Sequence, residues 1–167
     1  MTSPSDVRQR LLIDLDSTVV DLWEEAGARG LLNHRPCKWD FEGCCSPFSA
    51  DYVFGHENIF RDAKPIVGAI QGVEKLMKRY DVHFVSTPWP SAHNSAEQKY
   101  AWVEYYFDDP KLLTLTHRKD LIPAWALIDD RPLLKGPWIH VEYPQLWNHQ
   151  SNPSWTQGLA DYITRIL

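Results

Sequence analysis

Apolar residues gather in five short runs along the chain: Leu11–Asp14, Val82–Ser86, Leu112–Thr116, Trp125–Ile128 and Trp138–Val141. Each run is almost continuously hydrophobic, which suits a strand covered on both faces rather than one with a wet side. Between them the apolar period lengthens. In Ile66–Tyr80 the positions Ile66, Ile70, Val73, Met77 and Tyr80 recur at steps of three or four, and in Ser95–Phe107 Ala96, Tyr100, Val103 and Phe107 do the same. Both read as amphipathic helices. A last helix is expected to start near Pro153–Ser154, with Ser154 as its N-cap, and to run towards Leu167. Strands alternating with helices predict an α/β fold, a doubly wound parallel sheet with helices on both faces. From Trp23 to Lys64 the rhythm fails. That stretch holds all three cysteines and several aromatics with no clear period. It is expected to be a small cap inserted after strand one (residues 23–64) within a single domain spanning 1–167.

Parallel sheets of this kind bind ligands at the carboxyl ends of their strands, and polar groups collect there. Asp14-Leu15-Asp16-Ser17-Thr18 follows RLLI directly, Ser86-Thr87 ends VHFV, Lys119 comes just after LLTLT, and Asp129-Asp130 ends WALI. This set suits phosphoryl transfer. A carboxylate attacking a phosphate dianion meets like charge, and a divalent cation held by Asp14 and Asp130 offsets that repulsion. Lys119 neutralises further charge, and Ser86 or Thr87 donates hydrogen bonds to phosphate oxygens. Asp14 is then the nucleophile. Asp16 protonates the leaving oxygen and later activates water. For Asp129 the plainer reading is a carboxylate that orients Asp130 or Lys119.

The order DxDxT, Ser/Thr, Lys, DD resembles the haloacid dehalogenase superfamily of phosphatases, and within it the 5'(3')-deoxyribonucleotidases. EQKYAWVEYYF (Glu97–Phe107) looks like that family's EKYxWVE helix, VSTP like its CTSP, and ALIDDR like its LLIDDR. The likeness runs from Leu11 to Arg131 and is closest after Pro65. It implies Mg²⁺ as cofactor, with Asp14, Asp130 and the carbonyl of Asp16 as ligands and Asp129 beside them. It also implies phosphate contacts from Ser86, Thr87, Lys99, Lys119 and Arg131, and a nucleoside monophosphate as substrate. Three places depart from the family, the first being Thr18, which replaces its common Gly-Val-type sequence. His117 stands where the nucleotidases usually have Arg, and Trp23–Arg61 aligns poorly with the cap that selects the base.

Composition narrows the partners. A formal charge of −5 argues against a groove for long nucleic acid, whose affinity comes mainly from Lys and Arg on phosphates. No apolar run is long enough for a membrane span or signal peptide, so a cytoplasmic protein is expected. The substrate is expected to be a small phosphate ester, and a homodimer is left open. Eight Trp, seven Tyr and six Phe supply more rings than a core of this size needs. Trp23, Phe41, Phe48, Tyr52, Phe54 and Trp89 are therefore candidates to line a pocket, against the plainer reading that they pack the cap. His34, Cys37, Cys44 and Cys45 invite a zinc reading. Yet HxxC…CC lacks the usual CxxC pair and vicinal cysteines share one tetrahedral ion poorly, so no metal is assigned there. Rival functions are the same chemistry on a sugar phosphate or a nucleic-acid end, and a silent nucleotide-binding or partner-binding domain that keeps the fold.

Overall fold

A computed structural model describes residues 8–148 and 152–167. Strands β1 (Arg10–Ile13), β2 (Asp81–Ser86), β3 (Leu113–Leu115), β4 (Ala126–Asp129) and β5 (Ile139–Glu142) form one parallel sheet in the order β3-β2-β1-β4-β5. Each strand lies within about a residue of the apolar run that announces it. The chain winds outward from β1 to β3, then returns to place β4 on the other side of β1. Ile13 is thus in register with both Phe84 and Ile128. Such a reversal opens a crevice at the carboxyl ends of the central strands. Asp14 enters that crevice, its backbone N–H donating to the Ile128 carbonyl at 2.9 Å.

Alternate residues along the strands serve different cores. Leu11, Ile13, Phe84, Ala126 and Ile128 join the main cluster, to which all six α-helices contribute buried side chains. Leu12, Val85 and Leu127 join a small cluster with Trp138, Ile122, Ala124 and Leu134. Helices therefore cover one face of the sheet. The other face, expected to carry helices too, lies under the 3-10 turn and loops that flank β4. Those connections are too short to form the expected second helical layer.

Helices α1 (Leu22–Ala28), α2 (Ala50–Phe54) and α3 (Ile59–Asp62) lie in the stretch that shows no period. None is long enough to repeat a hydrophobic pattern, and side-chain caps mark the starts of α1 and α2 instead. Asp21 accepts from Glu24 N–H at 3.2 Å and Ser49 from Tyr52 N–H at 3.3 Å. Arg29, half-buried, gathers this stretch by donating to Glu25 at 2.7 Å, to Asp62 at 2.8 Å and to the Glu57 carbonyl.

Helix α4 (Ala69–Met77) buries Ala69, Val73 and Leu76, and α5 (Ser95–Phe107) buries Ser95, Gln98, Lys99, Trp102 and Val103. The final helix differs from expectation. Ser154 caps only a 3-10 turn, Trp155–Gln157, and Gly158 at φ +87° redirects the chain before α6 (Leu159–Ile166) begins. The Trp155 ring lies against Gly72 of α4 so closely that a Cβ there would sit 2.4 Å from it.

Candidate active site

The loop after β1 is a tight knot. The carbonyl of Leu15 accepts from the backbone N–H groups of Thr18, Val19 and Val20 at 2.9–3.2 Å, and Ser17 takes a left-handed φ of +61°. Two distant side chains fix its outer carbonyls. Gln145 Nε2 donates to Ser17 O at 2.6 Å, and Trp155 Nε1 donates to Thr18 O at 2.6 Å. A non-glycine residue in that conformation is costly, and the surrounding hydrogen bonds hold it. The knot fixes the backbone that carries Asp14 and Asp16.

Two lysines reach this loop from other elements. Lys119 Nζ sits 2.6 Å from Asp14 and 2.7 Å from Asp129. Burial works against its ammonium, but the two carboxylates outweigh it and raise its pKa. Lys99, only 2% exposed, donates to Asp16 at 2.6 Å, to Ser86 Oγ at 3.0 Å and to the Thr87 carbonyl at 2.6 Å. Its Nζ also lies 4.7 Å from the centre of the Phe60 ring. Ser86 is fully buried, and its hydroxyl oxygen accepts from Lys99 Nζ. Thr87 faces the cavity, although its hydroxyl donates to the Thr116 carbonyl at 3.1 Å.

Asp14, Asp129 and Asp130 are all buried and place carboxylate oxygens within 4.8 Å of one another. Asp129 is already engaged: one oxygen accepts from Lys119 and the other from Arg131 N–H at 2.9 Å. It therefore orients its neighbours. The Asp130 carboxylate takes no hydrogen bond from a described residue, and its backbone carbonyl is held by Trp147 Nε1 at 3.2 Å and Asn148 Nδ2 at 3.1 Å. Burial pushes Asp14 up to about 7, with Lys119 opposing and Asp129 and Asp16 adding to the rise. Burial also raises Asp130 well above the usual carboxylate range, with Asp129 next in effect. Four carboxylates thus face two ammonium groups. Hard oxygen donors short of positive charge fit a divalent cation such as Mg²⁺, which the Asp130 carboxylate and the Asp14 oxygen not bonded to Lys119 could hold.

The site opens into a cavity of about 690 Å³. Trp23, Phe41, Phe54, Phe60, Trp89, Trp39 and Trp147 give it an aromatic wall, while Lys38, His117, Lys135 and Arg131 supply basic groups. Trp23, Phe41 and Phe54 contact one another with ring centres 5.0–5.8 Å apart, and Asp51 anchors Trp89 by accepting from its Nε1 at 3.0 Å. Phe48 and Tyr52 are not on this wall. They stack on each other, centres 4.7 Å apart, and α2 turns Val53 and Phe54 inward while leaving Tyr52 exposed. Trp23 carries a buried Nε1 with no acceptor among the described residues.

A family model described as "5' nucleotidase, deoxy (Pyrimidine), cytosolic type C protein" matches residues 8–136. The chain belongs to this deoxyribonucleotidase family. Among its relatives is a Bordetella pertussis protein named "Putative 5'(3')-deoxyribonucleotidase". The two are 32% identical over 130 residues, 70% of each chain. The human mitochondrial 5'(3')-deoxyribonucleotidase is 31% identical over 105 residues, covering 58% of this chain and 46% of the human one. Membership places the nucleotidase-family chain among the phosphoric monoester hydrolases of the haloacid dehalogenase superfamily, and its all-parallel sheet agrees. No described helix is long and apolar enough to cross a membrane. The residues that sequence reading missed, Gln145, Trp147, Asn148 and Trp155, lie beyond the matched stretch. They act through side-chain hydrogen bonds to backbone carbonyls, which leave no sequence pattern.

Proposed function

We propose that the chain is a Mg²⁺-dependent phosphatase of deoxyribonucleoside monophosphates that works through a phospho-aspartate on Asp14. The observation that carries this reading is the convergence of Asp14 and Asp16, each paired with its own lysine, at the floor of an aromatic-walled cavity. Asp14 attacks phosphorus. The Asp14 oxygen–phosphorus bond forms as the ester P–O bond breaks, and the leaving nucleoside oxygen takes its proton from Asp16. Asp16 then receives a proton from the water that cleaves the phospho-aspartate, releasing phosphate and restoring both carboxyl groups. The resting ion pair between Lys99 and Asp16 fits this cycle. An incoming phosphate dianion competes for the same ammonium, freeing Asp16 Oδ2 to carry a proton. Mg²⁺ bound by Asp14 and Asp130 supplies positive charge against the phosphate oxygens. Lys119 and Arg131 add to that charge, and Asp129 holds Lys119 in place. The aromatic wall offers flat faces to a nucleobase, which favours nucleotides over sugar phosphates.

The test is phosphate release across 5'- and 3'-deoxynucleotides, ribonucleotides and sugar phosphates, with and without chelator. Deoxynucleotides should exceed sugar phosphates in kcat/KM by at least about tenfold, the effect of about 1.4 kcal/mol of ring contact in the transition state. Excess EDTA should abolish turnover. Full activity in EDTA with metal-free protein would sink the metal role, and preference for sugar phosphates would remove the nucleotide reading.

A further inference from the structure

The loop that brings Lys38–Glu42 to the cavity is closed at its base by groups that phosphate chemistry does not use. His34, Cys37 and Cys45 place three ligand atoms within 4.8 Å of one another. Cys37 Sγ lies 3.6 Å from Cys45 Sγ. Two thiolates on one tetrahedral zinc, each about 2.3 Å from the ion, stand about 3.8 Å apart. The spacing is close to that of co-ligands.

His34 is oriented for the same purpose. Its Nδ1 donates to the Arg35 carbonyl at 3.0 Å, which fixes the proton there and leaves the lone pair on Nε2. Imidazoles that bind metals are usually held this way, the second nitrogen donating to a carbonyl. The backbone also assembles the cluster without an ion. Asn33 N–H donates to Cys45 O at 2.8 Å, and Ser46 Oγ donates to Leu31 O at 2.7 Å.

The objection to vicinal cysteines falls away, because only one of the pair takes part. Cys44 Sγ is 2.9 Å from Cys45 Sγ, too close for two corners of one tetrahedron, and it points to the Phe41 carbonyl at 3.5 Å. Cys45 is buried, while His34 and Cys37 are exposed, so the open position faces solvent.

We propose that His34, Cys37 and Cys45 bind one zinc ion, with water in the fourth position, as a structural staple. On binding, the two thiols release their protons to solvent, and two thiolates balance the charge of the ion. Soft sulfur ligands select zinc here, while the hard carboxylates of Asp14 and Asp130 select magnesium, so the two sites do not compete. The staple closes the loop that carries Trp39 and Phe41 to the cavity. That consequence rests on the phosphatase reading, whereas the metal site does not.

Cobalt titrated into reduced, metal-free full-length protein tests the site through its colour. The expected result is one tightly bound equivalent with the intense visible bands and thiolate charge-transfer absorption of a tetrahedral centre, erased by zinc. Cys37→Ser and His34→Ala, both at exposed positions, should weaken zinc binding by more than about a hundredfold, beyond the effect of losing an outer hydrogen-bond partner. Cys44→Ser should keep the spectrum. Asp130→Asn should keep it too while losing magnesium-dependent turnover, which separates failure of this site from failure of the phosphatase reading. Absence of the bands while all three thiols titrate as free would overturn the proposal. So would a Cys37–Cys45 disulfide in protein purified without reductant whose reduction yields thiols that take up neither cobalt nor zinc. Bands that survive in Cys37→Ser would show the ligand set to be wrong.

Discussion

Asp16 is the residue whose environment bears most directly on the proposed chemistry, since its Oδ2 is shared with Lys99 in the resting site while Asp14 is held by Lys119. Its two proposed roles separate by leaving group. A nucleoside alkoxide leaves poorly and needs a proton, whereas an activated aryl phosphate expels a stable phenoxide without one. Water attack on the phospho-aspartate needs the base whichever ester formed it. Asp16→Asn should therefore lose nearly all nucleotide hydrolysis yet release a burst of about one phenol per site from the aryl ester, followed by a slow rate. Asp14→Asn should give no burst. Rapid-mixing absorbance decides the matter: an Asp16 variant without a burst or a trapped phospho-enzyme would make Asp16 a part of the site's geometry only.

At the scale of elements, α5 shows how a helix can hide its function. The apolar stripe read from the sequence, Ala96, Tyr100, Val103 and Phe107, is not the buried one, for Tyr100 is exposed. The helix instead buries Ser95, Gln98, Lys99 and Trp102 with Val103. Three of these are polar, and each has partners. Gln98 Oε1 accepts from Phe60 N–H at 3.1 Å, Ser95 Oγ accepts from Trp89 N–H at 3.0 Å, and Lys99 reaches Asp16 in the loop after β1. Hydrogen bonds replace apolar contact as the reason for burial. Lys99→Met keeps the stem but leaves Ser86, Asp16 and the Thr87 carbonyl without their donor. It should lower stability by ~1–3 kcal/mol in denaturant melts and reduce kcat/KM more than tenfold. A variant with wild-type turnover would show that Lys99 supports the fold alone.

Over the whole molecule, the buried charge of the site sets how stability responds to pH and metal. In metal-free protein Asp14 has a pKa of about 7 against an ordinary 3.8, because burial disfavours its charge. The folded state therefore keeps a proton that the unfolded chain releases between those values. The stability tied to that proton is fully present below pH 3.8 and declines as pH rises to about 7, by at most ~1.4 kcal/mol per pH unit. Asp130 is raised by the same cause and adds in the same direction. Magnesium competes with these protons, so its stabilising effect should grow with pH. Thermal melts at about pH 5.5 and about pH 8, with and without Mg²⁺, should show a clearly larger rise in Tm at the higher pH. An equal rise at both would mean that Asp14 is already ionised throughout.

The sequence by itself determined the strands, the polar groups at their tips and the family, because continuous apolar runs and the order Asp14, Asp16, Ser86, Lys119, Asp129, Asp130 are local patterns that survive without a fold. Tertiary structure decided what those patterns cannot encode. Lys99, carried by α5, lies against Ser86 at the end of β2, and Tyr52 is turned off the wall because the five-residue α2 faces Val53 and Phe54 inward. Of the helices α1 to α3, each shorter than two hydrophobic repeats, the first two were set by caps and the third is tied by Arg29 rather than by period. Gln145 and Trp155 fix Ser17 and Thr18 across 128 and 137 residues of chain, and only the folded return of the C-terminal segment brings donor and carbonyl together. Spacing alone spoke against a metal among the cysteines. It is the backbone pairing of Asn33 with Cys45 that sets His34, Cys37 and Cys45 side by side and leaves Cys44 out.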